Sequence, residues 1–227
     1  MGRELQDMLL QSVRRRTSAD GWSWFDGTRR KLSESVTEST LLTAYTAATR
    51  RLGNLPLNID SNEAAELCTY SKIFLPDRWR VNDVARAIFL LTIVESAESS
   101  FHPLVTACYE MGDSSEQASW LRGLILLPEC DRFLATAIDS CRTNIVPLFE
   151  SIACENPYPC LYFPELNFNQ MVMKSLFNGI RLSRIVGLES RLNDELRRMA
   201  DDYASERRAA GREVPSDIHL AKGLKYS

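Results

Sequence analysis

The residues best suited to bind a ligand lie along one predicted helix, residues 165–178. Its polar side chains recur at i, i+3, i+7 and i+11, which places them in one stripe along one helix face. The stripe consists of Asn167, Gln170, Lys174 and Asn178. Amide side chains donate and accept hydrogen bonds, which suits sugars, hydroxyls or carboxylates. Two interpretations remain open: a stripe that faces a ligand, or one that caps neighbouring helix ends or meets water.

A proline-rich segment, Glu155-Asn156-Pro157-Tyr158-Pro159, precedes this helix. Proline fixes its own φ angle and pushes the preceding residue toward extended geometry, so we predict an irregular, rigid segment over residues 155–164. It would hold Glu155, Asn156 and Tyr158 close to the start of the helix, where binding residues are often placed. The alternative is a connector whose Asn and Tyr satisfy backbone groups.

A third group of polar residues opens the most apolar helix, predicted over residues 81–96. Asn82 and Arg86 share a face of that helix, and Asp83 can pair with Arg86 at i, i+3. A buried arginine needs a carboxylate or a ligand anion nearby, because an unpaired buried charge is costly. Arg142 and Asn144 add similar groups on another inner helix. These residues are ligand-binding candidates or parts of structural ion pairs.

Composition excludes several classes of site. Two histidines and scattered cysteines leave no metal-binding spacing, so we expect no metal and no cofactor. The cysteines are interpreted as core residues, with a nucleophilic Cys154 or Cys160 as the alternative. A net charge of −3 does not favour a nucleic-acid partner. We interpret the basic run Arg29-Arg30-Lys31 as helix surface or compensation of the helix dipole.

The N-terminus does not resemble a signal peptide, and the longest apolar run has only eight residues, 87–94. A membrane span needs roughly 20. We therefore expect a soluble cytoplasmic protein without a membrane-spanning segment.

Helical periodicity extends through almost the whole chain, and no convincing strand pattern is present. We predict an all-α fold of about ten helices in layered antiparallel hairpins, solenoid-like in shape and without a β-sheet. The predicted domain is single and covers residues 1–227, with a polar, extended tail over 211–227.

Several stretches of residues 79–212 resemble the EboA-domain family. They are WRVNDVAR at 79–86, WLRGL at 120–124, CRTN at 141–144, ACENPYP at 153–159 and YFPELNFNQM at 162–171. The resemblance implies a place in an ebo-type bacterial gene cluster, and a part in the production or export of a small metabolite. It assigns no catalytic residue.

The leading hypothesis is a soluble helical binding or scaffold protein that holds a small polar metabolite or a protein encoded by the same cluster. The alternative is a transferase or lyase acting on a cyclitol, sugar or phosphorylated intermediate. In that enzyme Glu155 would be the acid or base, Lys174 and Arg86 would bind an anion, and Tyr158 would donate a proton. Such chemistry requires Glu155, Lys174 and an arginine around one closed pocket. A helical adaptor with an exposed aromatic patch at Trp22, Trp24 and Phe25 is a third possibility.

Overall fold

A computed structural model describes residues 3–70 and 78–223 of the chain. Within these ranges the chain forms fourteen α-helices and six 3₁₀ turns without a β-strand, so the all-α prediction is confirmed. The number of α-helices exceeds the predicted ten because several are single turns of four or five residues. A proline disfavours continuation of an α-helix, so the sequence predicts that a helix ends at Pro76, a position outside the described residues.

The chain divides into two compact units, Met1–Ala135 and Thr136–Ser227. The prediction of one domain over residues 1–227 stays a prediction, because a compact unit need not fold by itself. The helices described in the first unit are α1 (Arg3–Arg16), α2 (Ala19–Glu34), α3 (Glu38–Leu52), α4 (Ser61–Tyr70), α5 (Val81–Thr92), α6 (Val94–Ala97), α7 (Phe101–Glu110) and α8 (Ser114–Gly123).

Helix α5 is the centre of the first unit. Every residue of α5 from Val81 to Leu91 is buried, and the helix packs against α1, α2, α3 and α8. An α-helix that is apolar on most of its circumference is stable only when other helices cover it on all sides. Phe25 of α2 is fully buried, with its ring centroid 5.1 Å from that of Phe89 of α5. Phe25, one of the three aromatic residues of α2 considered as an exposed patch, is therefore part of the core.

The second unit contains the helices that hold most of the predicted site. They are α9 (Leu134–Ser140, which begins at the boundary), α10 (Val146–Ala153), α11 (Tyr158–Tyr162), α12 (Glu165–Phe177), α13 (Asp194–Ala209) and α14 (His219–Lys222). A turn at Gly187 has φ of 71°, and a Cβ atom there would collide with the Cys160 sulfur. Only glycine fits this approach without a shift of its neighbours.

Two segments of the second unit differ from the sequence prediction. Residues 155–164 were predicted to be irregular but contain α11, because Pro159 lies in the first turn, where a backbone N–H is not needed. The tail was predicted to be extended but contains α14, with Ile218 and Ala221 buried. Two apolar residues three apart are too short a pattern to predict a helix from sequence.

Candidate functional site

A cavity of about 350 Å³ in the second unit contains part of the predicted polar stripe. This volume lies at the lower end of the range typical of ligand pockets. Asn167, Gln170 and Lys174 of α12 form its polar side, together with Arg142. Its apolar side consists of Ile138, Cys141, Phe163 and Met171. Three of the four members of the predicted stripe therefore line a single cavity.

Lys174 is largely committed to structure. Its Nζ atom donates hydrogen bonds to the backbone oxygens of Cys141, at 2.6 Å, and Thr143, at 2.7 Å. These carbonyls follow the last turn of α9, where carbonyls lack helical partners and the helix dipole favours a cation. The ammonium also lies 5.2 Å from the ring centroid of Phe149. A lysine has three N–H donors, so one remains for the cavity.

The amides of Asn167 and Gln170 are in a different situation. Neither side chain hydrogen-bonds to another residue in the described ranges, although both line the cavity. Asn167 is half-buried and Gln170 is exposed. Asn178, the last member of the stripe, is exposed at the end of α12 and does not line the cavity. Among the polar side chains that line the cavity, those of Asn167 and Gln170 are therefore the two that form no hydrogen bond with another described residue.

Arg142 and Asn144 differ in their relation to the cavity. The guanidinium of Arg142 pairs with Asp139 at 2.8 Å, and its side chain is 82% exposed. It lies among the lining residues, but its charge is compensated and solvated. Asn144 is exposed and lies outside the lining. Burial raises the pKa of the neighbouring Cys141 thiol to about 12, which keeps it protonated at neutral pH.

Glu155 is held by an arginine that the sequence analysis did not single out. Arg184 binds Glu155 with two hydrogen bonds, of 2.7 and 2.9 Å, and Glu150 with bonds of 2.8 and 3.2 Å. The hydrogen bond with Glu155 raises the pKa of the guanidinium above its ordinary value. Glu155 adopts a left-handed backbone conformation, with φ of 48°. This three-residue ion pair fixes the bend between α10 and α11, and Glu155 does not line the cavity.

Asn156 and Tyr158 also have structural environments. The Asn156 side chain donates to the Ser151 carbonyl at 2.9 Å and accepts from the Tyr158 backbone N–H at 3.0 Å. Asn156 is 4% exposed, and its side chain satisfies the backbone N–H of Tyr158, the first residue of α11. Tyr158 is fully buried, and its ring centroid lies 4.9 Å from that of Tyr162.

Asn82 and Arg86 belong to a buried network of the first unit. Arg86 is 1% exposed and donates to the Tyr45 carbonyl at 2.9 Å, the Ser119 hydroxyl at 2.8 Å and the Thr49 hydroxyl at 3.0 Å. Glu116 lies 3.6 Å from the guanidinium and supplies a counter-charge. Asn82 donates to the same Thr49 hydroxyl at 2.9 Å.

Glu116 of this network is the nearby carboxylate that a buried arginine requires. The sequence suggested Asp83 as that partner, but Asp83 instead accepts from Ser119 at 2.5 Å and lies 3.5 Å from Arg122. Ser119 and Glu116 were missed because their helix, α8, contacts α5 only through tertiary packing. Neither Asn82 nor Arg86 lines the larger cavity of the first unit, of about 600 Å³.

The described residues do not bring Glu155 into the cavity that Lys174 and Arg142 line, as the transferase or lyase alternative requires. Glu155 is bound by Arg184, and Lys174 is bound by two carbonyls. Of these two, only Lys174 lines the cavity of the second unit. What the cavity offers is a small volume with one apolar side, two unused amides and one N–H donor. That combination can bind and orient a polar molecule.

A family model described as metabolite traffic protein EboA matches residues 5–222. The chain belongs to the EboA family. The match covers helices of both units, including residues 5–60, where the sequence shows no comparable resemblance. No curated protein and no solved structure matches the chain.

The candidate cavity lies within the region matched by the family model, and all its lining residues fall between 138 and 174. None of the helices in the described ranges combines the length and the apolar character that crossing a bilayer requires. The family description supports a role in metabolite traffic.

Proposed function

We propose that this member of the EboA family binds a small, polar, uncharged metabolite in the cavity of the second unit, and that it acts as a carrier or scaffold during production or export of that metabolite. The observation on which this depends is that Asn167 and Gln170 line a cavity of about 350 Å³ without hydrogen bonds to other described residues. The family's description as a metabolite traffic protein supports the same conclusion.

The charges around the cavity favour an uncharged ligand. The Lys174 ammonium donates two of its hydrogen bonds to carbonyl oxygens, and Arg142 is paired with Asp139, so neither cation is fully available to an anionic ligand. Two amides can accept and donate to hydroxyl or carbonyl groups, and the third N–H of Lys174 can donate to one more oxygen. The Phe163 and Met171 side chains provide an apolar surface for the carbon skeleton. A hydroxylated or carbonyl-containing metabolite fits these groups.

The test measures which small molecules three forms of the protein retain from a metabolite extract. The extract comes from cells that naturally produce the protein. Wild-type protein, the double variant Asn167→Ala/Gln170→Ala and the control Asn178→Ala are incubated with the extract and separated from free small molecules by gel filtration. Mass spectrometry then identifies the retained compounds. Asn178 is the matched control, because it is an asparagine of the same stripe outside the cavity.

We expect wild-type protein and Asn178→Ala to retain the same compound, and the double variant to retain at least tenfold less of it, since each lost hydrogen bond costs about 0.5–1.5 kcal/mol. Equal retention by all three forms would overturn the assignment of the cavity. A compound whose mass changes with time during the incubation would instead show that the chain is an enzyme.

A further inference from the structure

A groove of the first unit is lined by three cations that form no ion pair with a carboxylate among the described residues. It lies between α2 and α3 and has a volume of about 330 Å³. Lys31 lies in the last turn of α2, and Arg50 and Arg51 lie in the last turn of α3. No aspartate or glutamate is among the described residues that line the groove. Its formal charge is therefore +3.

These cations differ from their neighbours in the same unit. Arg29 and Arg30, which precede Lys31, both pair with Asp26, at 2.9 and 2.8 Å. Within the described ranges, Lys31, Arg50 and Arg51 form no ion pair with a carboxylate. Compensation of the helix dipole explains a cation in a last turn, but it does not explain why three of them line one groove without an acidic residue.

The Arg51 guanidinium is already oriented. It lies 5.9 Å from the ring centroid of Trp24, which is itself in edge contact with the core residue Phe89 at 6.0 Å. Stacking on an indole ring holds a guanidinium in place at a modest energetic gain. Less side-chain freedom is then lost when Arg51 binds an anion.

Hydroxyl groups complete the lining. Thr28, Ser35, Ser39 and Thr43 line the groove, and none of their side chains hydrogen-bonds to another residue in the described ranges. A hydroxyl group donates one hydrogen bond, and the oxygens of a phosphate group accept several. Three cations with several hydroxyl donors match a multiply charged tetrahedral anion better than a single carboxylate.

We propose that the groove between α2 and α3 binds a small molecule that contains a phosphate or diphosphate group. Lys31, Arg50 and Arg51 neutralise the anion, and the hydroxyls donate to its oxygens. This site does not depend on the cavity of the second unit, with which it shares no residue. The protein then binds two ligands, an anionic phosphate compound in this groove and the uncharged metabolite in the cavity of the second unit.

The first test is calorimetric titration of the full chain with inorganic pyrophosphate at low salt. Wild-type protein, Arg51→Gln and the double variant Lys31→Gln/Arg50→Gln are compared. The matched control is Arg132→Gln, which removes one positive charge from a surface pair with Glu129 outside the groove. We expect at least tenfold weaker binding for both groove variants and less than a twofold change for the control, because a charge-assisted hydrogen bond is worth about 1.5–3 kcal/mol.

A second arm distinguishes a free phosphate compound from a lipid headgroup. Sedimentation with phosphatidylcholine vesicles, with and without phosphatidic acid, is measured for the same variants. The proposal is supported if wild-type protein binds pyrophosphate or phosphatidic acid vesicles and the groove variants do not. Binding of pyrophosphate indicates a free phosphate compound, and binding of the vesicles indicates a lipid headgroup. Arg51→Lys, which keeps the charge, should retain most of the binding and shows that loss in Arg51→Gln is not misfolding. Absence of binding to both probes, or equal weakening by Arg132→Gln, would overturn the proposal.

Discussion

The ammonium nitrogen of Lys174 lies 2.6 Å from the carbonyl oxygen of Cys141, just beyond the last residue of α9. One side chain of α12 thus caps the end of another helix while its remaining donor faces the cavity. Lys174 therefore both lines the proposed binding cavity and stabilises the fold. A variant of Lys174 changes both, and so Asn167 and Gln170 are the better residues for testing binding.

The first prediction concerns the stability supplied by Lys174. Replacement Lys174→Met should lower the free energy of unfolding by about 2–3 kcal/mol, because two carbonyl oxygens lose a charged donor. Urea denaturation followed by circular dichroism measures this difference. The control Asn178→Ala, on the same helix, should change stability by less than about 0.5 kcal/mol. A Lys174→Met variant as stable as wild type would show that water replaces the cap without cost.

The second prediction compares two arginines near Asp83. Arg86→Met should lower the free energy of unfolding by about 3–5 kcal/mol, because it leaves the buried Glu116 carboxylate without its counter-charge. Arg122→Met should cost less than about 1 kcal/mol, since its side chain is 23% exposed and lies 3.5 Å from Asp83. Chemical denaturation of both variants tests the comparison. Equal losses would contradict the assignment of Arg86 as the centre of the network.

The third prediction is a dependence of stability on pH at Glu63. Burial raises the pKa of Glu63, but hydrogen bonds from Arg16, at 2.6 Å, and from Ser12 outweigh that effect and leave the pKa below its ordinary value. A carboxylate whose pKa is lowered by folding stabilises the protein above its unfolded pKa of about 4.3. That contribution is lost as the pH falls through the lowered value.

The variant Glu63→Gln isolates this contribution. At pH 7 the free energy of unfolding of this variant should be about 1–3 kcal/mol lower than that of wild type. The difference should shrink as the pH is lowered below about 4. Denaturation curves at pH 7, 5 and 3 measure the trend. A difference that stays constant with pH would show that the charge of Glu63 does not contribute.

The fourth prediction concerns the thiols of Cys108 and Cys141. Burial raises the pKa of each to about 12. At pH 8 the thiolate fraction of such a group is roughly a thousandfold below that of an exposed cysteine, whose pKa is about 8.5. Both residues should therefore react with iodoacetamide far more slowly in native protein than in urea. Peptide mapping by mass spectrometry measures each rate, and rapid labelling of either thiol in native protein would contradict its raised pKa.

Local sequence signals predicted the helices well where a pattern was long. The apolar repeat that begins at Val81 indicates the central helix, and the spacing Asp60-x-x-Glu63 is typical of a capping box that opens a helix, here α4. Asp60 does cap that helix, since its carboxylate accepts from the backbone N–H groups of Asn62 and Glu63 at 2.9 Å. The short helices α11 and α14 were missed because one turn contains too few residues to show a period.

The candidate site was predicted only in part. The spacing of Asn167, Gln170 and Lys174 determined that they share a face, and the structure places all three in one cavity. The sequence could not show that Asn156 would turn inward and accept from the backbone N–H of Tyr158, or that Glu155 would be bound by Arg184, 29 residues away. These contacts form only when the helices have packed together, and the sequence does not show which side chains then lie within hydrogen-bonding distance.

Glu63 illustrates both what the sequence determines and what only the tertiary structure decides. The sequence by itself determined that it stands three residues after Asp60, in the first turn of a helix, because capping and helical periodicity act over three or four residues. Only the tertiary structure decided that its carboxylate binds Arg16 and Ser12 of α1, about 50 positions earlier. Hydrogen bonds and ion pairs depend on distance in space, and distance in space between remote segments is set by the packing of helices.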